Sequence, residues 1–227
     1  FTLYASRFTL SVSRGNMRIT DIARQKKHSN RVSIFLDGAF AFGLNDETAF
    51  NHGLRTGLEL DEDQIARMLE EDQRKKAKDA AFHYLSFRPR TVKEVRDKLR
   101  EKDYKETIVQ ETIVLLKRLG LLDDRDFAAR WIAERVRLKP RGRRLLFSEL
   151  LKKGIAREMV EETLSEAFEN IDERTLAAGL LRKKAARYRS VEPREAFRKM
   201  SDLLVRKGFD FGVARDVAKE MVREYGD

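Results

Sequence analysis

The sequence predicts a mainly α fold, with tandem repeats of three-helix units forming an elongated curved array and a small antiparallel β region at the N-terminus. Three observations predict it. One unit recurs three times, opening RPRTVKEVRDKLREK from Arg88, KPRGRRLLFSELLKK from Lys139 and EPREAFRKMSDLLVRK from Glu192. Ahead of these units, apolar and polar residues alternate with period two around an Asp-Gly hairpin signal. Composition agrees: 41% hydrophobic and 38% charged residues with 3 Pro and 12 Gly suit a helical chain that can build cores.

Residues 1–16 are read as a leader whose order the sequence does not assign, with Met17 opening the first regular pattern as the original start. Residues 17–60 form the β-rich region. Arg18 to Arg24 alternates as a half-buried strand does, and the polar stretch Gln25 to Asn30 ends it. Val32 to Leu36 is a second strand, Asp37-Gly38 the hairpin turn, and Ala39 to Leu44 the third strand. A short helix follows from Asp46, closed by Gly53. Leu58 to Leu60 is extended, and Asp61 caps a helix with Glu62 and Asp63 in its first turn. That helix either breaks near Asp72 or continues through Ala80 and Tyr84 until Arg88-Pro89 stops it.

Three units then follow, with boundaries 61–122 (linking helix and repeat 1), 123–171 (repeat 2) and 172–227 (repeat 3). Leu99, Leu150 and Leu204 correspond, as do Ile108, Met159 and Val213, and the prolines Pro89, Pro140 and Pro193. At the turn, Asp103 aligns with Gly154 and Gly208, at spacings of 51 and then 54 residues, each followed by a bulky Tyr104, Ile155 or Phe209. A glycine there supplies positive φ; aspartate tolerates it at modest cost. In repeat 1, Thr91 to Glu94 reads as a capping box, and Ile108, Thr112, Leu115 and Leu119 form the third helix's stripe. In repeat 2, Asp123 or Asp124 caps a helix carrying Phe127, Trp131 and Ile132. Leu145, Leu146 and Leu150 stripe the next helix, and Met159, Val160, Leu164 and Phe168 the last. Repeat 3 opens near Asp172, uses Leu176, Leu180 and Leu181, and breaks at Glu192-Pro193. Each unit of such an array contacts mainly its neighbours.

Several chemistries are excluded. There is no cysteine, so no disulfide or thiolate chemistry. No apolar run reaches the roughly 18 to 20 residues that span a bilayer. His28, His52 and His83 stand apart, without metal-ligand spacing. Asp123, Asp124 and Asp126 are better read as helix-start acids than as cation ligands. No phosphate-binding loop, dinucleotide fingerprint or nucleophile elbow is present, so neither an enzyme nor a cofactor is expected.

Charge is the remaining signal. The net charge is +10; residues 1–72 carry nine Lys/Arg against eleven Asp/Glu, and residues 73–227 carry 39 against 27. A basic surface attracts nucleic acid or acidic protein patches. Arg88 and Arg90 in repeat 1, and Lys139, Arg141, Arg143 and Arg144 in repeat 2, occupy equivalent loops. Lys152 and Lys153 flank the repeat 2 turn. Repeat 3 keeps Arg194 in its loop and adds Arg182, Lys183, Lys184, Arg187 and Arg189. Together these predict a positive stripe, the candidate binding surface, while Trp131 and the phenylalanines read as core.

The repeat opening, the LGLLDDRDFAARWI junction and the ELLKKGI turn resemble the RecX family of bacterial RecA regulators, and ITDIARQKKHSNRVSIFLDGAFAF resembles that family's β-rich leader. The resemblance covers Arg18 to Glu224 and departs at Asp103, where glycine is usual, and in residues 1–16. It implies a cytoplasmic, monomeric, non-enzymatic protein without membrane contact. Its implied partner is RecA, in the groove of the RecA–DNA filament, where it inhibits ATP hydrolysis, strand exchange and filament growth in DNA repair, recombination and the SOS response. Single- or double-stranded DNA is a second partner that the resemblance leaves open. The alternatives are a helix-turn-helix-like DNA-binding transcriptional regulator and a pure protein-docking adaptor.

Overall fold

The computed structural model describes residues 15–26, 28–188 and 190–226. The leader before residue 15, and Arg189 of the expected stripe, lie outside the described residues. The chain divides into two units, one up to Ala80 and one from Ala81.

The first unit is built on a four-stranded antiparallel sheet of order β3-β2-β1-β4. Its strands are β1 (Met17–Gln25), β2 (His28–Leu36), β3 (Ala39–Asn45) and β4 (Glu59–Leu60), with helix α1 (Asp46–Asn51) after β3. Asp37 and Gly38 both have positive φ, as a tight hairpin turn between right-twisted strands requires. β2 starts four residues earlier than its apolar run suggests. Within the polar stretch read as a break, Gln25 pairs with His28, and Ser29 and Asn30 continue β2; a ladder at a hairpin's exposed end needs no apolar side chains.

One face of the sheet buries Ile19, Val32, Ile34, Leu36 and Leu44 against Met68 of helix α2 (Glu62–Ser86), which runs without a break. Asp61 and Gln64 form a reciprocal cap at its start. Asp72 explains why the helix continues through this point. Its side chain is 1% exposed, accepts the Asn45 backbone N–H at 2.7 Å, and pairs with Lys76 at 2.7 Å and Arg31 at 3.4 Å. The aspartate read as a possible helix break is thus the polar tie between α2, β2 and β3.

The second unit contains the remaining helices: α3 (Val92–Glu101), α4 (Glu106–Arg118), α5 (Asp124–Leu138), α6 (Arg143–Lys152), α7 (Arg157–Glu169), α8 (Glu173–Arg182), α9 (Pro193–Arg206) and α10 (Phe211–Gly226). Repeat 1 comprises α3, α4 and the end of α2; repeat 2 comprises α5 to α7; repeat 3 comprises α8 to α10. Each has its own apolar centre, such as Phe127, Ile132, Leu146, Leu150 and Val160 in repeat 2 and Leu181, Met200, Leu204, Phe209 and Val217 in repeat 3. In α4 the buried stripe is Ile108, Val109, Thr112, Ile113 and Leu116. Leu119, expected in it, is 51% exposed because it is the C-cap residue, where the chain already leaves the helix. The first helix of repeat 3 also ends earlier than expected. α8 stops at Arg182, a 3-10 turn covers Ala185–Arg187, and Pro193 opens α9 at its first position instead of closing α8. A proline's missing N–H costs nothing there.

All three turns between second and third helices have the same geometry. The N–H of Asp103, Gly154 and Gly208 donates to Arg100, Leu151 and Val205, and the N–H of Tyr104, Ile155 and Phe209 donates to Leu99, Leu150 and Leu204. This is the left-handed helix stop with a hydrophobic residue after it; φ is +59° at Asp103, +83° at Gly154 and +84° at Gly208.

The turns of repeats 2 and 3 also dock on the preceding repeat. Gly142 N–H donates to Lys207 O at 2.9 Å and Arg144 N–H to Gly208 O at 3.1 Å. One junction earlier, Thr91 Oγ1 donates to Lys153 O at 2.8 Å. A Cβ on Gly208 would lie 2.3 Å from the Leu145 backbone nitrogen, one on Gly154 2.2 Å from Lys93 Cδ, and one on Gly142 2.3 Å from Gly208 O. Each second helix receives a further acceptor from the next repeat. Val92 N–H donates to Asp124 at 2.9 Å and Arg143 N–H to Glu173 at 3.2 Å. Asp124 and Glu173 are the first residues of α5 and α8; Asp123 and Asp172 cap those helices themselves. Thus, of the two aspartates considered for one cap, each caps a different helix.

Asp103 sits in the first turn, which docks on no earlier repeat, so nothing there requires a missing Cβ. In urea denaturation followed by circular dichroism, Gly208→Ala should destabilise by about 3 kcal/mol or more, combining left-handed strain with overpacking. Asp103→Ala should cost at most about 1 kcal/mol. Equal effects would contradict the docking account.

Candidate interface

The expected basic stripe separates into two populations. In the first, the side chains are engaged within the array. Arg88 pairs with Glu94 at 3.1 Å, and the Arg90 guanidinium lies 4.0 Å over the Tyr84 ring. Lys153 reaches Glu94 across the repeat 1–repeat 2 junction at 2.7 Å. Arg141 contacts Glu149, which also accepts the Trp131 indole N–H at 3.0 Å. Arg143 donates to Ser165 at 3.0 Å, Arg144 bridges to Asp210 of repeat 3 at 2.8 Å, and Arg182 lies 3.6 Å from Glu224. In the second population, Lys139, Lys152, Lys183, Lys184, Arg187 and Arg194 have no side-chain partner among the described residues.

Of the cations in the loops before α3 and α6, Arg144 reaches the next repeat, and Arg88, Arg90, Arg141 and Arg143 are engaged within their own. Recurrence at one structural position does not bring a recurring contact: Arg88 pairs with Glu94 while the equivalent Lys139 has no side-chain partner among the described residues, and Arg90 lies over Tyr84 while the equivalent Arg141 contacts Glu149. Trp131 is similarly engaged: it stacks on Phe127 at 5.7 Å, with Arg135 at 4.0 Å and Lys153 at 5.2 Å from its ring centre.

Two cations that were not singled out join this surface. Lys219 and Arg223, four residues apart on α10, line a shallow cleft with Pro193, Arg194, Phe197 and Val222. The signal was present in the sequence as paired i,i+4 cations flanking an apolar residue. Among the described residues no three His, Asp or Glu side chains stand close enough to hold a metal ion, and no helix is long and apolar enough to cross a membrane.

Glu94 is the electrostatic centre of the first junction. Burial alone would raise its carboxyl, but hydrogen bonds from Arg88, Lys153 and the Thr91 backbone N–H bring it from 4.5 down to about 2. A depressed carboxyl stabilises the fold above its unfolded value and loses that contribution as pH falls through the folded value. Glu94→Gln should therefore lower stability at neutral pH, with the deficit shrinking below about pH 4.5 and vanishing near pH 2. A deficit constant across that range in denaturation curves would remove the charge from the account.

Comparison with known proteins adds a consistent result. Four family models match in chain order: the regulatory protein RecX N-terminal domain at residues 17–61, and the first, second and third RecX three-helix domains at 77–114, 123–164 and 172–217. The regulatory protein RecX of Bacillus licheniformis is 35% identical over 209 residues, covering 92% of this chain and 79% of the relative. That of Clostridium acetobutylicum is 32% identical, covering 91% and 97%. A crystal structure of a regulatory protein RecX superposes with a TM-score of 0.66 at 30% identity, covering 92% of this chain and 99% of that one. RecX from Lactobacillus salivarius gives 0.60 at 29% identity, covering 66% and 97%.

Proposed function

The chain belongs to the RecX family of regulatory proteins, and from that premise we propose that it modulates the RecA recombinase without catalysing a reaction itself. In this reading it is a cytoplasmic monomer that seats in the groove of the RecA–DNA filament and suppresses ATP hydrolysis, strand exchange and filament growth. The observation that carries the reading is the tandem of three repeats joined in fixed register, with Lys139, Lys152, Lys183, Lys184, Arg187 and Arg194 unpaired among the described residues. A filament offers a repeating surface and a polyanion, and an array with unpaired cations suits both. Arg141, Arg143 and Arg144, also candidates from sequence, have first calls on them from within the array.

The transcriptional-regulator alternative is weakened by α7. A recognition helix enters the major groove between phosphates, but α7, the third helix of repeat 2, carries Glu158, Glu161, Glu162, Glu166 and Glu169 against the single cation Arg157. Such a helix would be repelled.

The test is a titration of the purified chain against the single-stranded-DNA-dependent ATPase of its cognate RecA. Suppression at substoichiometric ratios is expected; no effect at equimolar protein rejects the proposal. Lys183→Glu with Lys184→Glu and Arg187→Glu should weaken suppression about tenfold or more at about 0.1 M salt with unchanged helical circular dichroism. Arg143→Ala with Arg144→Ala should instead lower the melting temperature, since those side chains bridge within and between repeats.

A further inference from the structure

In repeats 1 and 2, the chain itself fills the corner between the start of the second helix and the end of the third. In repeat 1, Asp124 at the start of α5 accepts the Val92 N–H and lies in the field of Lys117 near the end of α4. In repeat 2, Glu173 at the start of α8 accepts the Arg143 N–H. The repeat spacings of 51 and 54 residues bring Val92 and Arg143 into correspondence with Phe197, and Lys117 and Phe168 into correspondence with Val222. Phe197 and Val222 line the open cleft between α9 and α10. The cleft thus lies at the equivalent place in repeat 3, where α9 starts one turn earlier at Pro193, so that Phe197 is inside the helix, and no described residue fills it.

Its chemistry differs from that of the filled corners. Counted from the prolines Pro89, Pro140 and Pro193, the place of Arg194 is taken by Arg90 and Arg141; at the spacings of 51 and 54, those of Lys219 and Arg223 are taken by Val114 and Arg118 in repeat 1 and by Ser165 and Glu169 in repeat 2. Arg90 lies over Tyr84 and Arg141 contacts Glu149. Among the described residues, three exposed cations without partners occur together at this place in repeat 3, and no described carboxylate lines the cleft. Its apolar floor is formed by Phe197 and Val222, half-buried at the margin of the repeat 3 core.

We propose that this cleft docks an acidic segment of a partner protein, with an apolar side chain against Phe197 and Val222 and carboxylates on Arg194, Lys219 and Arg223. Charge complementarity favours an anion, and the two filled corners take a carboxylate from the start of a protein helix. The apolar floor of Phe197 and Val222 beside the cations favours a protein segment over nucleic acid. A second copy of this chain is a poorer occupant. The turn its repeat 1 would present carries Asp103, whereas the turns that dock have glycines whose Cβ would lie 2.2 to 2.3 Å from the preceding repeat. Nothing in this corner depends on RecA being the partner.

The test uses the full chain and a fluorescein-labelled peptide of about twelve residues composed of Glu, Asp and Leu, read by anisotropy at about 50 mM salt. Saturable binding is expected, weakened about tenfold or more by Arg194→Glu, Lys219→Glu and Arg223→Glu combined. Lys183→Glu with Lys184→Glu should change it less than about twofold. The milder Lys219→Gln with Arg223→Gln gives the same direction if the triple variant loses helical circular dichroism. Absence of peptide binding, or binding that survives both sets of changes, overturns the proposal. So does a result in which those changes spare the peptide but abolish binding of a labelled oligothymidylate, or abolish concentration-dependent self-association in light scattering.

Discussion

An α-helix starts with backbone N–H groups that have no partner in the helix, and at a seam between packed units water does not reliably serve them. In this array α3 and α6 both start at such a seam, and the next repeat supplies acceptors to each. α3 draws on the Asp124 carboxylate, while the Lys153 carbonyl takes the Thr91 hydroxyl; α6 draws on the Glu173 carboxylate and the carbonyls of Lys207 and Gly208. A slip of one residue between units would strand several polar groups at about 1–3 kcal/mol apiece. Apolar contact alone tolerates sliding; these directional bonds do not. Register between units therefore depends on where one helix begins and on which turn faces it.

This constraint accounts for the differences between copies. Where two backbones meet, at Gly142 and Gly208, side chains are absent because a Cβ on either would lie 2.3 Å from its neighbour. Thr91, at the place of Gly142, keeps its side chain because its own N–H is satisfied by Glu94 and its hydroxyl makes the bridge. The first turn docks on no earlier repeat and carries Asp103. At the other end, no described unit caps α9, and that helix caps itself with Glu192 and Pro193. It has 14 residues where α3 and α6 have 10, the difference being about one turn.

Much of this was legible in the sequence because the signals are local. The Asp37-Gly38 hairpin, the Thr91–Glu94 capping box and the glycine-then-apolar turns involve residues within a few positions of one another, and the threefold recurrence amplified them. What was not legible involves pairs far apart in the chain. Asp124 looks like a spare cap until Val92, 32 residues earlier, is seen to donate to it. Asp72 looks like a helix breaker until the Asn45 N–H is placed against it. Leu119 continues the helical period but falls on the cap, where period no longer decides burial. The cations of the RPR and KPRGRR loops were visible as a pattern, but composition does not separate charge that neutralises a neighbour from charge that remains available.

That separation changes where the electrostatic field of the array originates. Residues 73–227 carry an excess of twelve cations, yet both repeat 1 candidates, Arg88 and Arg90, are engaged by Glu94 and Tyr84. Of the six unpaired candidates, Lys139 and Lys152 belong to repeat 2 and Lys183, Lys184, Arg187 and Arg194 to repeat 3, where Lys219 and Arg223 add to them. Exposed charge of one sign steers encounter over about a Debye length, and ion pairs within the protein cancel most of their own field at that range. The array thus presents an attractive end as well as an attractive surface. The place closed in the first two repeats is also open there, so among the described residues unpaired charge and unfilled apolar surface coincide in repeat 3.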